Sequence, residues 1–292
     1  MGRRMDFTIV TPSFNQLDYL ACCIASVADQ TGITCEHIIQ DGGTAGFSEF
    51  AKQMETRWPE RPGYRRLMIS EKDSGMYDAV NKGLKHGAGK ICAYLNCDEQ
   101  YLPGVLEKVR KIAGSEPSVD LWVGDVIVVD PKGQALCQRK VLAPFLNHVW
   151  TCHLPAFTAA TFFQRRVIEE GFFFDTSYRA AADAEWFVRL LQKRKTIQRL
   201  DFFCSTFTDG GGNLGLTSTA AEERKRLNRS AGSFTNWLSW LWVGLHRMRR
   251  LANGCHRPRD VETAFYLQGG KKRTPLLGKQ VRSTWPGRLW QK

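Results

Sequence analysis

The sequence predicts an α/β protein: a mostly parallel sheet with helices on both faces, followed by a basic, helical C-terminal tail. Three observations predict it. Short β-branched and apolar runs alternate with segments of helical periodicity through the first part of the chain, the alternation expected of strands joined by crossover helices. The apolar runs end at carboxylates, Asp41, Asp73 and Asp98, where ligands collect in open parallel sheets. The basic charge is concentrated at the end of the chain. From residue 230 onward twelve Lys and Arg face two acids, which leaves only about +2 of the net +12 for the first 229 residues.

The elements follow in order. "DFTIVTPSFN" is β-branched up to Thr11, where Pro12 and Ser13 break it, and Leu17, Leu20, Ile24 and Val27 then recur at helical spacing. "CEHIIQDGG" reads as a second strand ending at Asp41, and "YRRLMISEKDSG" as a third ending near Asp73. "SGMYDAVNKGLKHGAGK" offers Ser74 as an N-cap, Tyr77, Val80 and Leu84 on one face, and Gly87 or Gly89 as a stop. "KICAYLNCDEQYLPG" is the fourth strand, running into Asn96, Cys97, Asp98 and Glu99. Adjacent carboxylates at the mouth of a buried strand repel each other and need a compensating cation or donor, or else they solvate the strand end before a turn. "VDLWVGDVIVVDPKGQAL" reads as two strands interrupted by Gly124 and a turn over Pro131 to Gly133. "TAATFFQRRVIEEGFF" is a strand followed by a helix, and "AADAEWFVRLLQKRK" a helix with Trp186 and Leu190 inward, joined by Phe187 and Leu191.

Length and composition bound the function. The 292 residues, 43% of them apolar, suit one large domain at 1–229 with an appendage at 230–292. A nearly neutral body argues against a nucleic-acid enzyme with a basic catalytic groove. Nine cysteines without a CxxC pair suit a reducing compartment, and "MGRRMDFTIV" lacks an apolar region of signal-peptide length, so a cytoplasmic protein is expected. The tail holds five of the nine tryptophans, Trp237, Trp240, Trp242, Trp285 and Trp290. Its apolar run from Trp237 to Leu245 is too short to span a bilayer, which takes about 20 residues. Tryptophan beside Arg247, Arg249 and Arg250 suits an anionic membrane surface at the cytoplasmic face, or else a helix packed on the body.

Taken together, "TIVTPSFNQ", "IIQDGGTAG", "SEKDSGMYDAVNKGLKHGAGK", "AYLNCDE", "ATFFQRR" and "AADAEWFVRL" resemble family 2 glycosyltransferases of the GT-A fold, in the bacterial surface-polysaccharide branch. The resemblance covers roughly Asp6 to Leu216 and leaves out the tail. It implies an inverting, metal-dependent enzyme that moves a sugar from a nucleotide-diphosphate sugar to a hydroxyl of a saccharide or polyprenyl-linked acceptor. Asp98 matches the last Asp of the family's DxD motif, implying a divalent cation, Mn²⁺ or Mg²⁺, with Asn96 beside it on the donor side. Asp41 resembles the nucleobase-binding Asp, although "QDGG" is also ordinary turn chemistry. Thr11 and Pro12 would line the base pocket, and Asp73 the nucleotide side or a helix cap. Asp183 matches the catalytic base, a role shared with that of a first-turn helix acid, and Glu185 lies two residues on toward the acceptor. The run Gly210 to Gly212, centred on Gly211, resembles the glycine loop that follows the acceptor helix in relatives. Where relatives commonly have a His-Gln pair before the "TFF" strand this chain has Thr158 and Ala159, with His153 five residues earlier. Two rival readings are a nucleotidyltransferase of similar fold and a non-catalytic binding protein that uses the basic tail. The first needs a glycine-rich phosphate loop that "TPSFNQ" does not supply, and the second leaves the strand-end carboxylates unexplained.

Overall fold

A computed structural model describes residues 5–210, 217–277 and 281–283. Strands β1 (Phe7–Ser13), β2 (Cys35–Asp41), β3 (Tyr64–Ser70) and β4 (Ile91–Tyr94) lie parallel in the order β3-β2-β1-β4. Helices α1 (Leu17–Ala28), α2 (Phe47–Arg57) and α3 (Met76–His86) connect them. Every residue of β1 and β2 is buried, as crossover helices on both faces require, while β3 at the sheet edge alternates between covered and open positions.

Beyond β4 the sheet becomes mixed. After β5 (Glu99–Tyr101) and α4 (Val105–Ser115) come β6 (Leu121–Val129), β7 (Ala135–Arg139), α5 (Leu146–Thr151), β8 (Thr161–Gln164), α6 (Arg165–Glu169), α7 (Ala182–Gln192) and β9 (Ile197–Thr208). The path continues β4-β8-β6-β9-β5 with β7 on the side of β6; only β6 and β9 pair parallel here. Gly124 does not divide this region into two strands as expected. β6 runs through it, and the ladder to β9 shifts register there, where a Cβ would sit 2.3 Å from Cys204 Sγ. The Pro131 to Gly133 turn is present, held by Asp130 Oδ1 accepting from the amides of Lys132 and Gln134.

Strand alternation divides the apolar residues between two cores, one on each face of the sheet. Phe7, Ile9, Trp122 and Phe162 enter one; Val10, Leu121, Val123 and Phe163 enter the other, against Trp186 and Phe187 of α7. Trp186 stacks on Phe174 at 4.9 Å and donates its Nε1–H to Phe172 O, so the inward face expected for α7 is fixed by packing and by a satisfied indole.

The C-terminal segment comprises α8 (Ser218–Ser230), α9 (Ser233–Trp237), α10 (Ser239–Ala252) and an antiparallel hairpin of β10 (Glu262–Phe265) and β11 (Thr274–Leu277). The expected boundary near residue 230 falls at the turn between α8 and α9. The hairpin that follows is laid on the body. Phe265 and Leu276 are buried in the first core, Tyr266 packs edge-on against Trp58, and the Arg273 guanidinium binds both carboxylate oxygens of Asp29. Gln100 and Tyr266 exchange two hydrogen bonds, of 2.8 and 2.7 Å.

Candidate active site

The carboxyl ends of β1, β2 and β4 open into a cleft of about 1260 Å³. Its lining includes Pro12, Ser13, Gly42, Asp73 and the turn Asn96 to Glu99 together with Lys140, His153, Thr158, Arg179, Asp183, Arg224 and residues of α10.

The Asn96 to Glu99 turn answers why two adjacent carboxylates end a buried strand. Cys97 packs into a small core at the cleft's edge and donates its thiol to Gln16 Oε1, and it lines the cleft together with Asn96, Asp98 and Glu99. The turn is closed by Glu99 N donating to Asn96 O at 3.0 Å and by Asn96 N donating to Glu99 Oε2 at 2.8 Å. No cation of the described residues forms an ion pair with Asp98 or Glu99, and Asn96 Oδ1 is buried without a partner. Burial holds both carboxyls above their usual range, and at Glu99 the neighbouring Asp98 charge adds to it. Two carboxylates without a cation partner, beside an orphaned amide oxygen, are a hard, oxygen-only donor set, which fits Mn²⁺ or Mg²⁺.

Asp183 reaches the cleft from the other half of the sheet, as the second residue of α7. Its Oδ1 accepts from Ala184 N at 2.7 Å, and the Tyr77 hydroxyl donates to the carboxylate. Burial raises its pKa, partly offset by these donors and by the Arg224 guanidinium. The loop that delivers Asp183 is tied down from α8. Glu223 is buried and accepts from three successive amides, Arg179 N at 2.6 Å, Ala180 N at 2.9 Å and Ala181 N at 2.9 Å. Three amide donors on one carboxylate fix the start of α7, and with it the direction of Asp183.

The remaining expected residues divide into two groups. Pro12, Asp73 and Asn96 line the cleft, and Asp73 Oδ1 also holds Gly75 N at 2.9 Å ahead of α3. Thr11, Asp41 and Glu185 lie outside its lining. Thr11 is buried, with Oγ1 shared between Cys23 Sγ and His37 Nε2. Asp41 spends its carboxylate on Gly43 N, Thr44 N, Thr44 Oγ1 and Ser70 Oγ, and it is Gly42 next to it that reaches the wall. Glu185 pairs with Arg189 one turn along α7, Nε to Oε1 at 2.6 Å. Gly211 lies outside the described residues. Thr158 lines the cleft next to the Tyr94 hydroxyl, Ala159 is buried, and His153 faces two other histidines. Glu223, Lys140, Arg179 and Arg224 had no sequence signal, since each reads as an ordinary charge on a helix or loop.

Comparison with known proteins shows the family and the fold neighbours. A profile of the family described as Glycosyl transferase family 2 matches residues 8–173. PGL/p-HBAD biosynthesis glycosyltransferases of Mycobacterium bovis and Mycobacterium tuberculosis are each 26% identical over 229 residues, 77% of this chain and 84% of theirs. Among solved structures, Staphylococcus aureus TarS 1-349 in complex with UDP-GlcNAc superposes with a TM-score of 0.59 at 14% identity, over 76% of this chain and 64% of that one. The mannosyltransferase PcManGT from Pyrobaculum calidifontis, in complex with GDP-Man and Mn²⁺, gives 0.52 at 14% identity, over 77% and 61%. Both structural matches take in less than two thirds of the neighbour's length.

Proposed function

The chain belongs to glycosyl transferase family 2, and from that premise we propose that it is an inverting, metal-dependent glycosyltransferase acting on a nucleotide-diphosphate sugar. The observation that carries this reading is the meeting of Asp183 with the Asp98–Glu99 pair in one cleft, from opposite halves of the sheet. Fold neighbours solved with UDP-GlcNAc and with GDP-Man and Mn²⁺ support a sugar-nucleotide donor.

The nucleotide lies along Pro12, Gly42 and Asp73, which places its diphosphate toward Asn96 and Asp98. Asp98, with Asn96 and Glu99 beside it, would hold a divalent cation, which neutralises charge on the departing diphosphate. Asp183 takes the proton of the acceptor hydroxyl, and its raised pKa matches it to a weakly acidic alcohol. The hydroxyl oxygen forms its bond to the anomeric carbon as the bond from that carbon to the diphosphate oxygen breaks. One displacement inverts the anomeric centre. Tyr77 and Glu223 hold the base in place through these steps.

The acceptor is a saccharide or a polyprenyl-linked saccharide, reached from an anionic membrane surface at the cytoplasmic face. No described helix is long and apolar enough to cross a membrane. Support for surface docking comes from α9 and α10. Phe234, Trp237, Trp240, Leu245, Met248 and Leu251 recur every three to five residues, with Leu241 beside Trp240, and all are 36–72% exposed. His246, Arg247 and Arg250 of the same helix line the cleft. A membrane on the apolar stripe would bring lipid-linked acceptors to the cleft mouth. Determining the anomeric configuration of the transferred sugar by NMR tests the mechanism. Inversion is expected, and a retained configuration overturns the single displacement.

A further inference from the structure

Three histidines meet beside the cleft at the junction of α5 and α10. His148 on α5 and His246 on α10 stack with ring centroids 4.1 Å apart, and His153, in the segment after α5, stands edge-on to His148 at 4.5 Å. One nitrogen from each lies within 4.8 Å of the other two. His148 is fully buried, yet neither of its ring nitrogens has a hydrogen-bond partner, and Nδ1 of the buried His246 has none either. Leaving a buried donor or acceptor unmatched costs about 1–3 kcal/mol each, so three such atoms in one cluster point to a ligand that the protein atoms do not supply.

We propose that His148, His153 and His246 form a three-imidazole site for a borderline transition metal, with Zn²⁺ the best fit, whose remaining coordination position opens to the cleft. The donor set decides the class of metal. Imidazole nitrogen suits Zn²⁺ and its neighbours, whereas the oxygen-only Asp98–Glu99 turn suits Mg²⁺ and Mn²⁺, so the two sites select different ions. Three protein ligands and an open place make a site that exchanges small ligands. His153 and His246 both line the cleft, which supplies the opening.

The surroundings set the charge of what completes the site. Arg139, Arg224, Arg249 and Arg250 all lie near the cluster; Arg224, Arg249 and Arg250 donate to the carbonyls of Val149, Ala143 and Lys140. Burial, with these cations and the neighbouring histidines, pushes His148 down to about 4 and His153 and His246 to about 3. Neutral imidazole is the form that binds metal. The same guanidiniums favour an anion or hydroxide as the remaining ligand.

The test uses the full chain, stripped with a chelator and held in saturating Mg²⁺ to occupy the carboxylates, then titrated with Co²⁺ and Zn²⁺. One Co²⁺ per chain is expected, with visible d–d absorption, no thiolate charge-transfer band, and displacement by Zn²⁺. Losing even an outer-shell partner lowers metal affinity by about 10–100-fold, so His153→Ala is expected to weaken Zn²⁺ binding by at least that much. His153 faces the cleft, and an unchanged melting temperature of that metal-free variant shows that the fold is intact. Asp98→Ala is expected to bind Zn²⁺ as the parent does. Absence of stoichiometric Co²⁺ binding, a thiolate band, parental affinity in His153→Ala, or loss of the site in Asp98→Ala would each overturn the proposal.

Discussion

Asp183 and Asp98 owe their expected behaviour to burial. Replacing Asp183 with Asn keeps its shape and its bond from Ala184 N but removes the proton acceptor. Turnover is expected to fall by roughly two to four orders of magnitude with donor affinity unchanged, as steady-state kinetics and nucleotide titration would show. The acid limb of the parent's pH–rate profile should lie above the ordinary Asp pKa of about 3.9, because a raised pKa means the base is lost at a higher pH. Asp98 and Glu99 give a stability prediction. Their folded-state pKa values are raised, so the stability they contribute is present below the ordinary carboxylate range and is lost as pH rises through the folded values. Mn²⁺ offsets the exposed repulsion, and should raise the melting temperature more at pH 8 than at pH 5 and hardly at all in Asp98→Ala. Asp98 stands out in the sequence because motif and strand end coincide there, and Asp183 because it opens a helix. Thr11, Asp41 and Glu185 lie outside the cleft's lining, and a sequence does not tell whether a carboxylate or hydroxyl is already spent on neighbours, as Asp41 is on Thr44 and Ser70.

At the scale of elements, β1 to β4 were readable from periodicity because β1, β2 and β3 are each followed by a crossover helix. The second half was harder. β5 pairs with β9 across about a hundred residues of sequence, and no local pattern announces so distant a partner. Glu223 belongs to the same class: it acts on α7 from α8, over a loop. Glycine placement supplies a test of the packing. α3 approaches β1 so closely that a Cβ at Gly83 would lie 2.4 Å from Val10 Cγ1. Overpacking of this kind costs about 1–3 kcal/mol, so Gly83→Ala should lower the denaturation midpoint in urea despite the better helix propensity of alanine. A midpoint at or above the parental value would contradict the close α3–β1 contact.

For the whole molecule, the C-terminal segment does two separable things. Its hairpin completes the first core, and its helices expose an apolar stripe. Removing a buried Phe side chain costs about 3–5 kcal/mol, so Phe265→Ala should destabilise the chain by that order in chemical denaturation. Replacing the exposed Trp237 and Trp240 with Ser should leave stability within about 0.5 kcal/mol per site while reducing co-sedimentation with anionic liposomes. The charge count could identify the tail as basic, but which part packs and which part is presented depends on contacts such as Arg273 with Asp29 that span the entire chain. Asp98 and Asp183, brought into one cleft, together transfer a sugar in the proposed reaction. It is tested most directly by measuring nucleoside diphosphate release from a panel of sugar nucleotides, with and without Mn²⁺ and a polyprenyl-linked acceptor, in the parent, Asp98→Ala and Asp183→Asn. Acceptor-stimulated, Mn²⁺-dependent release from at least one donor is expected in the parent and its loss in both variants; parental release in either variant, or release indifferent to the cation, would rule out this division of roles.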